Sequence, residues 1–514
     1  MNSRRFSGRM DLLAAAFALL TRIAHLLGYL LGSRTELYYW PVLASRKFES
    51  AAQAILRGSA ETGPFVYASP LYRYLILPFY AAGTDRLGLF IFQGLLGVVT
   101  AWLLYRMALK AGASPWFALA ASVIWSLYAP ALFFEFTILP VSILTAAVTA
   151  LALITASSKQ KYGRPSSMGG LAGLAAGLRP PFLLMLALPM WKWLRCRSWK
   201  KLMTALAVLA VPLLFLSFMQ LSMGGGFYPF PRTAGCNLVL GHSSQSTGYG
   251  PPIPSLGLVE TGQGDIHQVA ARVAAERGYT DPAEADAYWM RTALSWIAEH
   301  PVEELRLMAV KIGGFFGAKP FDTYYEVGRV SSFNPVLKFA FVPRLLISVL
   351  FLTGLIPFLL KGKNRLALLM APAIAFASSV IFVHSERYFL PVLPAMLAAA
   401  ASGWGVLTEE IRKKSLKYLI CGVLGLLLLL PAVFYPVPSV PEGMYLGSLA
   451  LRADLMGNQQ LALELFERSA LTAREGSTVW VQAHREAARL SGSLGLQDRA
   501  RQHLRILHNF GVAH

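Results

Sequence analysis

Long apolar runs separated by short polar segments form the dominant pattern of this chain. Most of these runs approach the ~20 residues that an α-helix needs to cross the hydrocarbon core of a bilayer. The pattern predicts about eleven such helices, at 11–31, 86–108, 115–134, 138–157, 168–178, 180–194, 201–221, 338–360, 364–383, 388–407 and 416–435. The two short runs flank Arg179-Pro180-Pro181, so they form either half-buried helices or one broken hairpin. We therefore predict an all-α polytopic membrane protein.

The polar segments divide the chain into four parts. We expect an N-terminal membrane module at 1–221 with an outer loop at 32–85, an extracytoplasmic insert at 222–337, further membrane helices at 338–435, and a tail at 436–514. The insert begins with glycine- and proline-rich turns that interrupt regular structure. Two amphipathic helices then follow on either side of Pro301, and we expect them to pack as a small cap on the membrane domain.

The tail is predicted to consist of helical hairpins. Gly457, Ala462 and Phe466 recur as Gly495, Ala500 and a leucine, a period of 38 residues. This spacing resembles tetratricopeptide helix pairs, whose period is about 34 residues. Two such units are fewer than the three or so that usually stand alone, so the tail should lean on the membrane domain or on a partner.

Composition and charge narrow the class of protein. Hydrophobic residues make up 55% of the chain and charged residues 14%, which excludes an ordinary soluble domain. The net charge of +20 does not indicate a nucleic-acid partner, because the basic residues concentrate in every second loop. This positive-inside pattern predicts a multi-pass membrane protein with its N-terminus in the cytoplasm and its tail outside.

Several ionisable side chains then fall on the predicted outer face. Glu135 ends the third apolar run; it is either functional or an interfacial carboxylate that only reaches water. Arg179 lies between the two short runs, where it either holds an anionic head group or snorkels to the interface. His384, Glu386, Arg387 and Tyr388 form a second cluster, and Arg73 is a further cation. Arginine suits phosphate because its planar fork donates two hydrogen bonds.

The order of these segments over residues 10–405 resembles the GT-C glycosyltransferases, specifically the bacterial relatives of dolichyl-phosphate-mannose protein mannosyltransferases and of lipid A aminoarabinose transferases. The matching segments are SRKFESAAQAILRG, SPLYRYLILPFY, LYAPALFFE, AAGLRPPFLL, CNLVLGHSSQSTGYGPP and ERYFLPVLP. The resemblance implies transfer of a sugar from a polyprenyl-phosphate-linked donor to an acceptor outside the cytoplasmic membrane. That acceptor is a protein or a glycan, and the tail would recruit or orient it.

The resemblance also implies roles for individual residues. Such chemistry needs a carboxylate that takes the proton of the attacking hydroxyl and cations that stabilise the departing phosphate. Arg179 and Arg387 match the positions of lipid-phosphate contacts. Asn237 and His242 match a polar loop that closes over the site. The remaining predicted substrate-binding residues are Tyr72, Arg73, His384 and Tyr388.

One position departs from the family pattern. Many relatives read LDS-x-YYD where this chain reads LASRKFE, so the first aspartate is replaced by Ala44 and the second matches Glu49. Alanine cannot accept a proton. Glu49 and Glu36 are therefore the candidate bases, and Glu135 is the candidate second carboxylate, as a base or a metal ligand. Oxygen ligands suit magnesium, manganese or calcium, although nothing in the spacing requires a divalent cation.

Three functions are compatible with these features. The first is a glycosyltransferase that uses a polyprenyl-phosphate sugar within the lipid membrane. The second is a catalytically inactive GT-C-like scaffold, which the alanine at position 44 favours. The third is a lipid transporter, although no repeat relates the two halves of the chain. The sequence does not identify the sugar or the acceptor.

Overall fold

The computed structural model describes residues 2–32, 35–42, 44–59, 69–157, 165–250, 253–258, 266–322, 325, 327–331, 334–414, 417–436 and 440–510. Within these residues the regular structure is helical and no β-strand is present. Residues 60–68 of the predicted outer loop and the basic loop 158–164 lie outside the described residues.

The described residues of the N-terminal part contain eleven helices. They are α1 (Asn2–Leu31), α2 (Thr35–Tyr39), α3 (Ala44–Leu56), α4 (Pro70–Ala81), α5 (Asp85–Ala111), α6 (Pro115–Ser126), α7 (Ala129–Glu135), α8 (Val141–Ser157), α9 (Pro165–Leu178), α10 (Ala187–Arg195) and α11 (Trp199–Ser222), with a 3-10 segment at Pro180–Leu186. The insert contributes α12 (Ala234–Gly241), α13 (Ile266–Glu276), α14 (Pro282–Glu299), α15 (Pro301–Phe316), α16 (Val327–Val330) and α17 (Pro335–Phe339).

The C-terminal part contains nine helices in the described residues. Five belong to the bundle: α18 (Arg344–Lys361), α19 (Arg365–Ile381), α20 (Glu386–Phe389), α21 (Leu393–Arg412) and α22 (Lys417–Val433), with a 3-10 turn at Leu390–Val392 between α20 and α21. Four belong to the tail: α23 (Glu442–Leu455), α24 (Gln459–Thr472), α25 (Thr478–Ser493) and α26 (Gln497–Asn509).

Five helical segments of the described chain are long and apolar enough to cross a bilayer. They are Gly8–Leu31, Asp85–Ala111, Trp199–Ser222, Arg344–Lys361 and Glu386–Arg412. Shorter apolar helices accompany them at Pro115–Ser126, Val141–Ser157, Arg365–Ile381 and Tyr418–Val433. The prediction of an all-α protein with helices of membrane-spanning length is confirmed, and the count of about eleven spans stays a prediction.

Two of the predicted apolar runs are interrupted. The run 115–134 divides at Tyr128, whose backbone is extended (φ −86°, ψ 107°), and α7 begins directly after it with Pro130 in its first turn. Proline suits a helix start because its missing N–H would have no partner there. The run 180–194 consists of a 3-10 segment followed by α10. Both breaks therefore lie at prolines, which have no backbone N–H to donate a helical hydrogen bond.

The centre of the bundle is formed by the segment Glu386–Arg412, most of whose apolar residues are buried. Gly8–Leu31 and Trp199–Ser222 lie at the periphery, because most of their apolar residues are not buried. The exposed faces of these peripheral helices are apolar, as a lipid environment requires. Small residues bring helices close together: a Cβ at Gly403 of α21 would collide with the Gly354 carbonyl of α18. Such contacts are typical of helix packing in membranes.

The tail forms two antiparallel helix pairs. Gly457 and Gly495 follow α23 and α25, and both adopt the left-handed conformation (φ +80° and +77°) that favours glycine. The 38-residue period of the sequence thus corresponds to one helix pair. The helix α23 packs against α2, and Glu442 in its first turn pairs with Arg329 of α16. The tail is therefore docked beside the first loop of the membrane domain.

Candidate functional site

Arg179 and Tyr388 meet although they lie more than two hundred residues apart in the sequence. The Arg179 Cζ atom lies 3.3 Å from the centroid of the Tyr388 ring, and the Arg387 Cζ atom lies 5.3 Å from it. Pro180 disfavours a helical conformation in the residue before it, and the backbone of Arg179 is accordingly extended (φ −154°, ψ 102°). This break ends α9 at the point where the guanidinium stacks on Tyr388.

Asp322 supplies a carboxylate to the same place. Its Oδ2 atom accepts a hydrogen bond from Ser385 Oγ at 2.5 Å and lies 3.6 Å from Arg387 Nε. The backbone N–H of Glu386 donates to the carbonyl of Phe321 at 2.7 Å, which holds this loop against α20. Asp322 is buried, so its charge is felt by Arg387 with little solvent screening.

Tyr325 connects this group to the first loop and to the tail. Its hydroxyl lies 2.7 Å from Ser45 Oγ of α3, and its ring centroid lies 5.7 Å from Cζ of Arg452 in α23. Burial raises the pKa of Tyr325, and the charges of Arg452 and Arg387 partly oppose this effect. Tyr325 therefore lies in the combined field of two arginines, one from the bundle and one from the tail.

We name Arg179, Arg387, Arg452, Tyr388, Tyr325 and Asp322 together the arginine cluster. These six residues include three guanidinium groups and one carboxylate, and the carboxylate lies beside Arg387. Since buried charges are costly without partners, the excess positive charge suits an anion such as a phosphate. Tyrosine rings and hydroxyls around the guanidiniums provide stacking and hydrogen bonds.

Glu49 is buried in a separate ion pair. Arg86 donates to its two carboxylate oxygens at 2.6 and 2.9 Å, and the Tyr80 hydroxyl donates at 3.0 Å. The Arg86 guanidinium also stacks on Trp40, with Cζ 4.0 Å from the ring centroid. These contacts join α3 to α4 and α5 and leave the Glu49 carboxylate engaged on both oxygens. Glu36, in the first turn of α2, is exposed.

Glu135 is also buried in an ion pair. Arg22 of α1 donates from Nη2 to Oε1 at 2.6 Å and from Nε to Oε2 at 3.0 Å, and both side chains are almost completely buried. The cavity beside Glu135 has a volume of about 10 Å³ and is lined by Gly97, Trp125 and other bundle residues. It has room for about one water molecule, and not for a sugar.

Tyr72 and Arg73 are buried residues of α4. The Tyr72 hydroxyl donates to Gln93 Oε1 at 3.1 Å, while Arg73 Nη2 contacts the Tyr74 hydroxyl at 3.1 Å. Tyr72 is an electrostatic neighbour of Tyr325, but these hydrogen bonds go to residues outside the arginine cluster. The start of α4 is nevertheless close to it, because Ser69 Oγ donates to the carbonyl of Leu178, the residue before Arg179.

His384 and Glu386 hold the polypeptide around the cluster. Glu386 pairs with Arg344 of α18 and accepts from the Tyr128 hydroxyl at 2.6 Å. His384 is buried among aromatic rings, including Tyr249, whose ring centroid is 6.2 Å away. Burial lowers the pKa of His384 well below its usual value, so the ring is neutral. Both residues therefore fasten the ERYF segment from which Arg387 and Tyr388 project.

Asn237 and His242 belong to the insert. Asn237 Oδ1 lies 3.1 Å from His267 Nε2. His242 is buried, with Nδ1 2.7 Å from Glu304 Oε2 and Nε2 2.8 Å from Lys311 Nζ. These contacts lie within the insert or reach α15 and α19. The later part of the same loop approaches the arginine cluster, because the Gly248 carbonyl accepts from the His384 N–H at 3.0 Å and the Tyr249 ring centroid lies 4.5 Å from that of Phe321.

No group of three or more histidine, cysteine, aspartate or glutamate side chains in the described residues has the geometry to hold a metal ion. A cleft of about 430 Å³ does open near Asp11, Arg106 and Lys110. Arg106 and Lys110 lie further along α5 than Gly97, which is beside Glu135, so the cleft is about 14–20 Å from Glu135 at the helical rise. Asp11 and Arg106 form an ion pair of 2.9 Å in this cleft. The arginine cluster suits an anion better, because its six residues include three arginines and one aspartate.

Sequence reasoning missed Asp322, Tyr325 and Arg452. Asp322 and Tyr325 lie in an irregular segment of the insert without a motif, and Arg452 lies on a tail helix that resembles an ordinary repeat. Arg22 did carry a signal, because an ionisable residue within an apolar run is costly and so points to a buried partner.

The fold and the cluster define an all-α protein that combines helices of membrane-spanning length with a buried arginine-rich site. Comparison of the chain with protein-family models, curated proteins and solved structures finds no match.

Proposed function

We propose that this protein is an integral-membrane glycosyltransferase that moves a sugar from a polyprenyl-phosphate-linked donor to an acceptor outside the cytoplasm. The observation that carries the proposal is the convergence of Arg179 and Arg387 on Tyr388 beside Asp322. Guanidinium groups bind phosphate oxygens through paired, charge-assisted hydrogen bonds. They also stabilise the negative charge that develops on the phosphate as the sugar departs.

Asp322 is the base in this mechanism. It takes the proton of the acceptor hydroxyl while that oxygen bonds to the anomeric carbon and the bond from this carbon to the phosphate oxygen breaks. Arg387 and Ser385 orient the carboxylate. The assignment replaces Glu49 and Glu135, because each of these is held on both oxygens by an arginine. Their pairs stabilise the bundle instead.

The membrane topology is part of the proposal. About eleven spans, an N-terminus in the cytoplasm and a tail outside would place the arginine cluster at the outer side of a bacterial-type cytoplasmic membrane. The five long apolar helices and the basic residues of alternate loops support this arrangement. An outer site suits a lipid carrier that presents its sugar away from the cytoplasm.

A transfer assay with a polyprenyl-phosphate-linked sugar tests the proposal in reconstituted membranes. We expect Asp322→Asn to lower turnover by about 10²–10⁴-fold, the usual contribution of a general base. Glu49→Gln and Glu135→Gln should retain turnover per folded molecule, and Asp11→Asn, at the far end of the bundle, is the matched control. Loss of turnover in Glu49→Gln or Glu135→Gln, with Asp322→Asn active, would refute the assigned base.

A membrane scaffold without catalysis is the second candidate. The ion pair between Glu49 and Arg86 favours it, because the carboxylate nearest to Ala44 in the helix is neutralised. In this case the docked tail would bind a partner protein. The wild type would then show no turnover with any lipid-linked sugar, and Asp322→Asn would leave partner binding unchanged.

A further inference from the structure

We propose that Arg452, on the first helix of the tail, binds the phosphate group of the lipid-linked donor, so that the tail completes the site. The inference rests on the proposed function and adds a residue to it. It makes the tail a structural part of the donor site, in addition to any role in recruiting an acceptor.

Arg452 differs in its surroundings from Arg22 and Arg344, two buried arginines that each pair with a carboxylate. Its side chain is 3% exposed, yet no carboxylate of the described residues pairs with it and its Nε atom has no hydrogen-bond partner among them. Arg22 and Arg344 are equally buried, but they pair with Glu135 and Glu386. A buried guanidinium without an anion is costly. An anion from outside the chain would remove that cost.

The groups around Arg452 indicate that it binds the same ligand as Arg387. Its electrostatic neighbours are the hydroxyls of Tyr38, Tyr325 and Tyr445. Neutral phenols cannot balance its charge, although they can donate hydrogen bonds to phosphate oxygens. Tyr325 lies in the fields of both Arg452 and Arg387. An anion beside the Tyr325 hydroxyl would therefore meet both arginines.

The docking of the tail holds Arg452 in place. The helix α23 packs on α2, and Glu442 at its start pairs with Arg329. At the entrance to the tail, the Ala318 N–H donates to the Val433 carbonyl at 2.9 Å. These contacts tie α23 to the first loop and to the insert. Arg452 is thus presented by a supported helix, as a binding residue requires.

The test measures binding of undecaprenyl phosphate and undecaprenyl diphosphate to the full-length protein in nanodiscs of phosphatidylcholine. We expect Arg452→Gln to weaken binding of at least one of them about tenfold or more, the usual effect of losing a charge-assisted hydrogen bond. Arg452→Lys should retain part of the affinity. Arg505→Gln is the matched control, because it removes the same charge from an exposed position of the tail.

If Arg452→Gln binds both lipids as tightly as the wild type while Arg387→Gln binds them weakly, the inference is overturned and the proposed function stands. Absence of binding to the wild type would overturn both. If phosphatidylglycerol binds with the same affinity as the two undecaprenyl lipids, the site does not select the donor and the donor is refuted as the source of the phosphate.

Thermal unfolding without the polyprenyl lipid separates binding from folding. If Arg452 serves a ligand, Arg452→Gln should unfold at the same temperature as the wild type or higher, since an unpaired buried charge is removed. A lower unfolding temperature combined with unchanged lipid affinity would mean that Arg452 is structural, and would refute the inference.

Discussion

The ion pair between Arg22 and Glu135 provides a quantitative test of how the bundle is held together. Replacing Glu135 with glutamine keeps the shape of the side chain and removes its charge. The guanidinium of Arg22 then stays buried, with side-chain exposure of 4%, and loses two charge-assisted hydrogen bonds of 2.6 and 3.0 Å. Breaking a buried pair from one side costs about 3–5 kcal/mol, because the remaining charge has no counterpart.

The double variant Arg22→Leu/Glu135→Leu removes both charges together. Since replacing a buried pair with apolar residues is often neutral or even stabilising, we expect it to be more stable than Glu135→Gln by at least about 2 kcal/mol. The free energy of unfolding is measured by titration with SDS in mixed micelles. Trp125 is a suitable fluorescent reporter, because its indole donates to the Gly97 carbonyl beside Glu135.

The exposed pair of Lys413 and Glu409 provides the matched control, and its removal should leave the unfolding midpoint unchanged. The reasoning is refuted if Glu135→Gln costs less than about 1 kcal/mol, well below the range for a stranded buried charge. It is also refuted if the double variant is as unstable as the single one, because the loss would then come from packing and not from the unpaired arginine.

Three further predictions concern other parts of the chain. Burial lowers the pKa of Lys311 to about 8, and the charge of the nearby Glu304 opposes this shift. Between about pH 8 and the ordinary pKa of a lysine, the unfolded chain therefore binds more protons than the folded chain. The unfolding midpoint should therefore rise between pH 7.5 and 9.5 in the wild type more than in Lys311→Met; equal pH profiles would contradict this prediction. A Cβ at Gly97 would collide with the Glu135 carboxylate. Gly97→Ala should therefore lower the free energy of unfolding by about 1–3 kcal/mol in the same SDS titration. An unchanged midpoint would argue against this close approach. Glu49→Gln should lower the unfolding temperature and leave the KM for the donor unchanged, and a raised KM with normal stability would place Glu49 in the site.

The arginine cluster was partly predictable from the sequence. Arg179 was singled out because a charge between two short apolar runs is hard to solvate, and the prolines after it explained the break in the helix. Arg387 and Tyr388 were singled out as part of a polar cluster on the predicted outer face, and the family resemblance added a lipid-phosphate contact for Arg387. The structure brings these three residues together. Their function as phosphate ligands stays a prediction.

The acidic partner was not predictable in the same way. Glu49, Glu135 and Asp322 are all buried carboxylates, and their sequence contexts do not separate them. Each is distinguished by a neighbour that is distant in sequence: Arg86, Arg22 and Arg387. A carboxylate with both oxygens held by an arginine stabilises the fold, whereas Asp322 is the one of the three that lies beside Arg387.

The sequence by itself determined the helical class, the apolar character of the long helices and the positions of the main breaks. These properties are local, because they depend on runs of neighbouring side chains and on prolines that remove backbone donors. Only the tertiary structure decided which charges neutralise one another and which have no charged partner among the described residues. Arg452 is the clearest case: the energy of its guanidinium depends on what surrounds α23 after the tail docks, and no local pattern contains that information.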